Sequence, residues 1–187
     1  MSLSIELGNR FRRARAEIFL GWTEVESGEL KNGIARMTQN LADLRAAGSE
    51  TSVDYFLALI ATALGRMGLF DEALGIAEEA FSVIQRTDAH WYEAEVYRRK
   101  GELLLAQDSS NVAPAERCFR IAIEVARKQH AKLWELRATT SLARLLARKG
   151  RRSEARAMLA EIYNWFTEGF DTADLKEAKA LLDELGG

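Results

Sequence analysis

The stretch Met67-Gly68-Leu69-Phe70-Asp71-Glu72-Ala73, followed by Ala77 and Ala80, decides the fold. Its glycine ends one helix, an aromatic residue follows two positions later, and an acidic turn opens a second helix. Small residues then recur along one face of that second helix. The stretch therefore predicts two helices that pack closely, because a bulky side chain on this face would hold their backbones apart.

The same pattern returns along the chain at a nearly constant interval. Its equivalent small residues are spaced by 40, 42 and 40 positions, and they are Gly33, Ala73, Ala115 and Ala155. A repeat of this length is typical of stacked helical hairpins, since each hairpin buries its apolar face only against its neighbours. We therefore predict an all-α fold, a right-handed solenoid of four helical hairpins with a ninth helix that caps its C-terminal end.

Helical periodicity also predicts the domain organisation. The pattern starts only at Ser4, which is compatible with a cloning remnant over residues 1–3 and predicts a single repeat domain over 4–187. The predicted repeats cover about 4–48, 50–88, 90–130 and 131–168, and the cap covers 171–185. The eighth helix is predicted over 153–166, and Asp171 or Thr172 is expected to cap the ninth.

One turn-rich run, residues 108–114, interrupts the third repeat. Pro114 suits the first turn of a helix, where its missing N–H is not needed. The run therefore predicts a loop two residues longer than its counterparts, and not a domain boundary.

Composition excludes several classes of function. Of the 187 residues 48% are apolar and 29% charged, and a net charge of −2 gives no global attraction for nucleic acid or anionic lipid. The sequence contains no uninterrupted apolar run of 18 residues and no signal-peptide core. The single cysteine, Cys118, cannot form an internal disulfide and fits a reducing compartment. We therefore expect a cytoplasmic protein without a membrane or nucleic-acid partner.

The sequence carries no motif for catalysis, a cofactor or a metal. It lacks a phosphate-binding loop, a His-Glu-x-x-His helix and a Cys-x-x-Cys pair. His90 and His130 lack a third metal ligand at suitable spacing and are interpreted as repeat-boundary residues. Cys118 is interpreted as a buried, inert thiol, and Glu78-Glu79 as part of a solvated helix face. We therefore expect no enzyme activity, no cofactor and no metal.

Tryptophans and clustered arginines allow two interpretations each. The tryptophans could stack on a ligand, but their helical spacing favours core positions; they are Trp22, Trp91, Trp134 and Trp165. An N-terminal basic cluster could suggest nucleic acid, but acidic residues balance it overall; its members are Arg10, Arg12, Arg13 and Arg15. A solvated face, or contact to a preceding helix, is the favoured interpretation of that cluster.

The placement of glycine, aromatic and alanine residues resembles the tetratricopeptide repeat (TPR) family. The second repeat matches the family pattern best, through Ile60, Ala61, Leu64, Gly68, Phe70, Ala73, Ala77 and Ala80. The first repeat is degenerate, with Asn40 where the last alanine belongs. The resemblance implies helical hairpins that bind other proteins, and the period, longer than the family's usual 34 residues, implies longer helices.

A second resemblance covers roughly residues 50–185. The segments 91–105 and 165–175 look like the C-terminal repeat region of large bacterial signalling proteins. In those proteins a class III nucleotide cyclase domain, or a DNA-binding domain, precedes an ATPase module and a helical tail. The resemblance implies that this chain is a tail of such a protein, and no catalytic residue carries over to it.

The inner helices of the hairpins predict a binding groove. Alignment of the repeats turns one set of side chains toward it: Arg15, Trp22, Tyr55, Arg66, Glu95, Arg98, Glu102, Arg137, Arg144 and Arg148. The last three lie on one helix face, and their guanidinium groups suit carboxylates of an acidic segment. The competing interpretation is that these arginines pair with neighbouring side chains or with solvent.

These observations predict a non-catalytic scaffold for protein–protein interaction. Its partner is expected to be a protein or peptide, such as an acidic segment or other domains of the parent chain, and a homo-oligomer is compatible with the fold. The alternative is a regulatory domain that senses a small molecule in the groove.

Overall fold

A computed structural model describes residues 3–186, with side chains from residue 10 onward. Within this range the chain forms nine α-helices, one 3-10 turn and no strand. The helices are α1 Leu3–Glu26, α2 Leu30–Ala46, α3 Val53–Arg66, α4 Phe70–Thr87, α5 Glu93–Gln107, α6 Val112–Lys128, α7 Lys132–Arg148, α8 Arg152–Tyr163 and α9 Ala173–Gly186. The predicted all-α class is confirmed. Leu3 opens α1, and the other two residues of the suggested remnant lie outside the described range.

The chain divides into two compact units, and the boundary lies between the predicted second and third repeats. The first unit, Met1–His90, contains α1–α4, and the second, Trp91–Gly187, contains α5–α9. In each unit the helices pack as hairpins, and in the second unit α7 also contacts α5 and α9. The helix α9 buries Leu175, Ala178, Leu181 and Leu185 in the core of the second unit. One continuous domain over 4–187 stays a prediction.

Glycines end the first helix of three hairpins, as the repeat pattern predicts. Gly28, Gly68 and Gly150 have φ angles of 96°, 77° and 77°, a region that favours glycine. At Gly68 the chain reverses because the amide of Leu69 donates to the carbonyl of Leu64 at 3.0 Å, five residues back. This bond satisfies a carbonyl at the end of the helix and turns the chain into α4.

The small residues of the repeat are all buried between paired helices, which confirms the prediction. Ala73, Ala115 and Ala155 have no exposed surface. A Cβ on Gly33 would lie 2.4 Å from the carbonyl oxygen of Gly21, closer than real Cβ contacts come. The backbones of α1 and α2 therefore touch at this point, and the first repeat needs glycine where the others carry alanine.

Three helix boundaries differ from the prediction. The helix α8 ends at Tyr163 and not near 166, because the amides of Trp165 and Phe166 reach back only three residues to their carbonyl acceptors. Residues 90–92 form a 3-10 turn before α5. The third hairpin loop, 108–111, exceeds the three-residue loops 27–29, 67–69 and 149–151 by one residue, not two.

Candidate binding surface on the second unit

The predicted groove residues of the second unit come together on a surface formed by α5, α7 and α9, here called the arginine face. It carries Arg98, Arg137, Arg144 and Arg148, with carboxylates between them. Trp22, Tyr55 and Arg66 lie in the first unit and are described separately below.

A buried ion pair forms the floor of the arginine face. Glu95 is 0% exposed and Arg98 is 8% exposed. The Nε and Nη2 atoms of Arg98 donate to Oε1 and Oε2 of Glu95 at 2.6 and 2.9 Å. Burial alone would lower the pKa of Arg98, but the hydrogen bonds and the charge of Glu95 raise it above its ordinary value. Sequence alignment places both residues toward the groove, but their burial keeps them from meeting a partner as free charges.

Glu102 extends this network toward α7. The Nη1 atom of Arg98 donates to Oε1 of Glu102 at 2.5 Å. The hydroxyl of Ser141 donates to the same oxygen at 3.0 Å. The buried pair is thus tied to the partly exposed Glu102 and to the middle of α7, which fixes the spacing of the two helices at the floor.

Arg137 links three helices. Its Nε and Nη2 atoms each lie 2.8 Å from an oxygen of Asp174 on α9, and its Nη1 lies 3.7 Å from Glu95 on α5. The guanidinium also lies over the ring of Trp134, 5.1 Å from its centroid. Burial lowers the pKa of Arg137, but the hydrogen bonds to Asp174 and the charges of Glu95 and Asp174 together raise it above its ordinary value. Arg137 therefore acts within the fold, as the competing interpretation of the sequence holds.

Arg144 and Arg148 form the outer part of the arginine face. Both side chains are exposed, and the Nη1 of Arg144 lies 2.5 Å from Oε1 of Glu177 on α9. Among the described residues no carboxylate lies within ion-pair distance of Arg148. Of the three arginines predicted to form a ridge on α7, Arg148 is thus the one without a carboxylate partner among the described residues.

Two neighbouring cavities open on the arginine face, and Glu102 and Ser141 line both. The polar cavity has a volume of about 240 Å³, and Arg98, Arg137 and Asp174 are among its lining residues. The second cavity, here called the apolar pocket, has a volume of about 260 Å³. It is lined by Glu102, Leu105, Ala106, Phe119, Ser141, Arg144, Leu145 and Arg148.

Gly101 explains how the apolar pocket receives its aromatic wall. A Cβ on Gly101 would lie 2.6 Å from the Phe119 ring, so the ring occupies the space that a side chain on α5 would fill. Phe119 is 1% exposed and reaches from α6 between the inner helices. The absence of a side chain at Gly101 therefore makes room for the Phe119 ring, which lines the pocket.

The predicted groove residues of the first unit contact other side chains of the same unit. The guanidinium of Arg66 lies over the ring of Trp22, 5.2 Å from its centroid, and its Nη1 is 2.7 Å from Glu26. Tyr55 packs beside Phe19, with ring centroids 6.3 Å apart. Arg15, also predicted to face the groove, lies over the Phe56 ring at 5.5 Å. The two predicted groove arginines of this unit, Arg15 and Arg66, thus each lie over an aromatic ring.

The interpretation of the tryptophans as core residues is wrong for Trp91 and Trp165. These side chains are 48% and 57% exposed, and Trp22 and Trp134 are half-buried. Trp134 meets Tyr92 edge to face at 5.6 Å. Both exposed tryptophans lie outside the α-helices, Trp91 in the 3-10 turn before α5 and Trp165 after the end of α8.

The other interpretations of single residues have mixed outcomes. Cys118 is buried, as predicted. His90 and His130 are exposed at turns, and the Nε2 of His90 lies 3.0 Å from Asp88. In residues 3–186 no group of three or more metal-ligating side chains comes together, and no helix there is long and apolar enough to cross a membrane. Glu79 contacts Arg45 at 2.6 Å, so the pair Glu78-Glu79 is only partly solvated.

Sequence reasoning missed the residues that α9 and α6 add to the surface. Asp174 and Glu177 lie three positions apart, so a helix presents both on one face. The sequence could have indicated this contact, because two acids on one face of α9 can pair with arginines on one face of α7. Nothing in the spacing of Phe119 along the sequence indicates that its ring lines a pocket.

Comparisons with known proteins agree with the fold. No protein-family model matches the chain. A protein of Rhizobium meliloti (strain 1021), described as uncharacterized, is 29% identical over 128 residues, which cover 68% of this chain and 12% of that protein. The chain thus spans a small part of the length of that relative.

Two solved structures are similar over most of the chain. A kinesin light chain-like protein of Podosopora anserina, with nearly identical TPR-like repeats, has a TM-score of 0.70 at 17% identity and covers 92% of this chain and 85% of its own. The protein BtubC (BKLC) of P. vanneervenii has a TM-score of 0.68 at 12% identity, with 96% and 89% covered. These likenesses show that the chain has a TPR-like fold.

Proposed function

We propose that this chain is a non-catalytic module for protein–protein interaction and that its binding surface is the arginine face. The observation that carries the proposal is the apolar pocket, whose rim holds Arg144 and the unpaired Arg148. Guanidinium groups bind carboxylates with two parallel hydrogen bonds, so this rim suits an acidic segment of a protein or peptide. Glu95, Arg98 and Arg137 pair within the fold, so their role is to hold the helices of the arginine face together.

The size of the two cavities favours a peptide over a metabolite at this surface. Sites for small molecules usually enclose about 300–1,000 Å³. The cavities of the arginine face measure about 240 and 260 Å³, which is below that range. A side chain of a larger partner can use such a space because the rest of the partner binds outside it.

We also propose that the chain is the C-terminal repeat part of a larger bacterial signalling protein of the cyclase or transcription-regulator type, located in the cytoplasm. The resemblance of segments 91–105 and 165–175 supports this assignment. So does the length of the Rhizobium meliloti relative, of which the matched region is 12%. Other domains of the parent protein are then the first partners to test.

The proposal is tested by binding between the chain and the remainder of the gene product, expressed separately. Changing Arg144 and Arg148 together to glutamate should weaken the affinity at least tenfold, because two attractive contacts become repulsive. The loss should be smaller at high salt, where exposed charges are screened. Arg117→Glu, an exposed site on α6 of the same unit, is the matched control. Equal affinity of wild type and double variant at both salt concentrations would exclude the arginine face.

A small-molecule sensor remains the second candidate, and one observation favours it. A cleft of about 730 Å³ lies in the first unit, between α1 and α2, with Arg13, Arg36 and Asn40 among its lining residues. This volume falls within the range of small-molecule sites. A thermal-shift screen of metabolites tests the alternative. A saturable shift that disappears in Arg13→Ala, without any protein partner, would favour sensing.

A further inference from the structure

We propose that the partner segment carries one hydrophobic side chain directly beside a carboxylate, with the hydrophobic group in the apolar pocket and the carboxylate on Arg148. This inference rests on the proposed function and specifies the chemistry that the arginine face recognises. It follows from the division of the face into satisfied charges, an apolar wall and one unpaired guanidinium.

The walls of the pocket select the hydrophobic group. Leu105 from α5 and Leu145 from α7 line the pocket together with Phe119, whose ring lies against Gly101. These side chains offer no hydrogen bond, so a polar group placed between them would lose its water without compensation. An aliphatic or aromatic group gains by leaving water at the same place.

The volume limits the occupant to a single side chain. A space of about 260 Å³ is too small for a packed helix or strand, whose backbone alone needs neighbouring contacts on several sides. A side chain inserted from a segment that crosses the face fits it, with the backbone of the segment outside. Binding sites of this kind concentrate affinity in one buried anchor.

The charges place the carboxylate at one end of the pocket. Arg98 and Arg137 are held by Glu95 and Asp174, so their donors are occupied. Glu102 accepts a hydrogen bond from Ser141, about two helical turns from Arg148 along α7, and its negative charge repels an acidic group there. Arg148 has no carboxylate partner among the described residues, and Arg144 can turn from the exposed Glu177 toward a second acid.

The test uses synthetic peptides of ten residues in a glycine–serine background, titrated into the whole 187-residue chain. The first probe carries adjacent leucine and aspartate. Two matched probes replace the leucine by alanine or the aspartate by asparagine. NMR titration is suitable because a peptide with one anchor binds weakly. The leucine–aspartate probe should bind at least fivefold more tightly than either matched probe, because each of these loses one of the two contacts.

Two variants of the chain sharpen the test. Arg148→Glu should weaken the leucine–aspartate probe at least tenfold, whereas the control Arg117→Glu should leave it unchanged. Ala106→Phe fills the pocket from an exposed position on α5 and should weaken the probe as strongly. Its control is Ala157→Phe, an exposed alanine on α8 of the same unit. Melting temperatures show whether each variant is folded.

The outcomes separate this inference from the proposed function. Equal binding of all three probes, or a probe that tolerates Ala106→Phe, would overturn the inference. Changing Arg144 and Arg148 to glutamate could still weaken binding of the remainder of the gene product. The arginine face would then remain the proposed binding surface, and only the hydrophobic–acidic motif would be wrong. If that affinity is also unchanged, both fail. Self-association of the chain that Ala106→Phe abolishes would make a second copy the occupant and would also overturn the inference.

Discussion

Each unit buries a carboxylate near the start of an inner helix, but the two carboxylates differ in their hydrogen-bond partners. Asp54 of α3 is 1% exposed, and its Oδ2 has no hydrogen-bond partner. Glu95 of α5 is 0% exposed, but both of its oxygens accept hydrogen bonds from Arg98. The first unit thus contains a buried charge without a counter-charge, whereas the second contains a buried pair.

This difference indicates that the second unit, and not the first, uses its buried carboxylate to support a surface. A buried pair is costly to form, since both ions lose their water, and it is retained where it fixes geometry. In the second unit the pair extends through Glu102 to Ser141 and so holds α5 and α7 beside the apolar pocket. Asp54 is bonded only to backbone amides at the start of its own helix. We therefore expect the two carboxylates to respond oppositely to neutralisation.

The largest effect is expected from Glu95→Gln. The change leaves the buried Arg98 without a full counter-charge and should lower the free energy of unfolding by about 3–5 kcal/mol. Urea denaturation measures it, with Glu124→Gln on the exposed side of α6 as the control. Replacing the pair together, Glu95→Leu with Arg98→Met, should cost less than Glu95→Gln alone. A larger loss in the double variant would show that the ion pair stabilises the fold more than two apolar side chains do in its place.

A smaller, pH-dependent effect is expected from Glu116→Gln. Hydrogen bonds from Arg120 and Lys149 lower the pKa of Glu116 to about 2 from its ordinary value of 4.5. A lowered pKa stabilises the fold above the ordinary value, and that contribution disappears as the pH falls from 4.5 toward 2. The variant should therefore lose about 1–3 kcal/mol at pH 7, a minor part of that at pH 2.5 and almost nothing below pH 2. A difference independent of pH would contradict this account of Glu116.

Neutralising Asp54 should stabilise the chain. Burial raises the pKa of Asp54 above 3.8, against the opposing effect of its backbone hydrogen bonds. The charged form is therefore less favourable in the fold, and wild type loses stability as the pH rises through the folded pKa. Asp54→Asn should gain about 1 kcal/mol at pH 7 and nothing below pH 3.8, as measured by chemical denaturation at both pH values. A loss at pH 7 would mean that the carboxylate is needed at the start of α3.

The smallest effect on stability is expected at the rim. Arg148→Glu should change the free energy of unfolding by no more than about 0.5 kcal/mol, as is usual for exposed sites. Arg144→Glu breaks an exposed pair with Glu177 and should cost at most about 1 kcal/mol. Thermal unfolding of both variants checks the values. If either variant failed to fold, Arg144 or Arg148 would be part of the internal charge network and not of a binding rim.

The hairpins and their small residues could be predicted from the sequence because the pattern is local. Gly68 and Ala73 lie five positions apart, and the turn between them needs one positive φ angle and one close helix contact. The end of α8 could not be predicted in this way. Its periodicity continues through Phe166, which packs on the core although it lies beyond the helix.

The binding surface was predictable only in part, because its charges are settled by contacts between distant residues. The spacing of Arg137, Arg144 and Arg148 places them on one helix face. It does not show that Asp174, 37 residues from Arg137, satisfies one of them. Exposed tryptophans were missed for a related reason, since helical spacing does not show where a turn leaves a ring uncovered.

The most direct test of the proposed surface is NMR of the arginine side chains, with the Nε–H signals followed as the remainder of the gene product is added. Signals of the buried Arg98 and the exposed Arg148 report the floor and the rim of the same face. We predict that the Arg148 and Arg144 signals shift in proportion to the bound fraction, while the Arg98 signal keeps its position. Binding that leaves both rim signals unchanged would contradict the assignment of the arginine face as the binding surface.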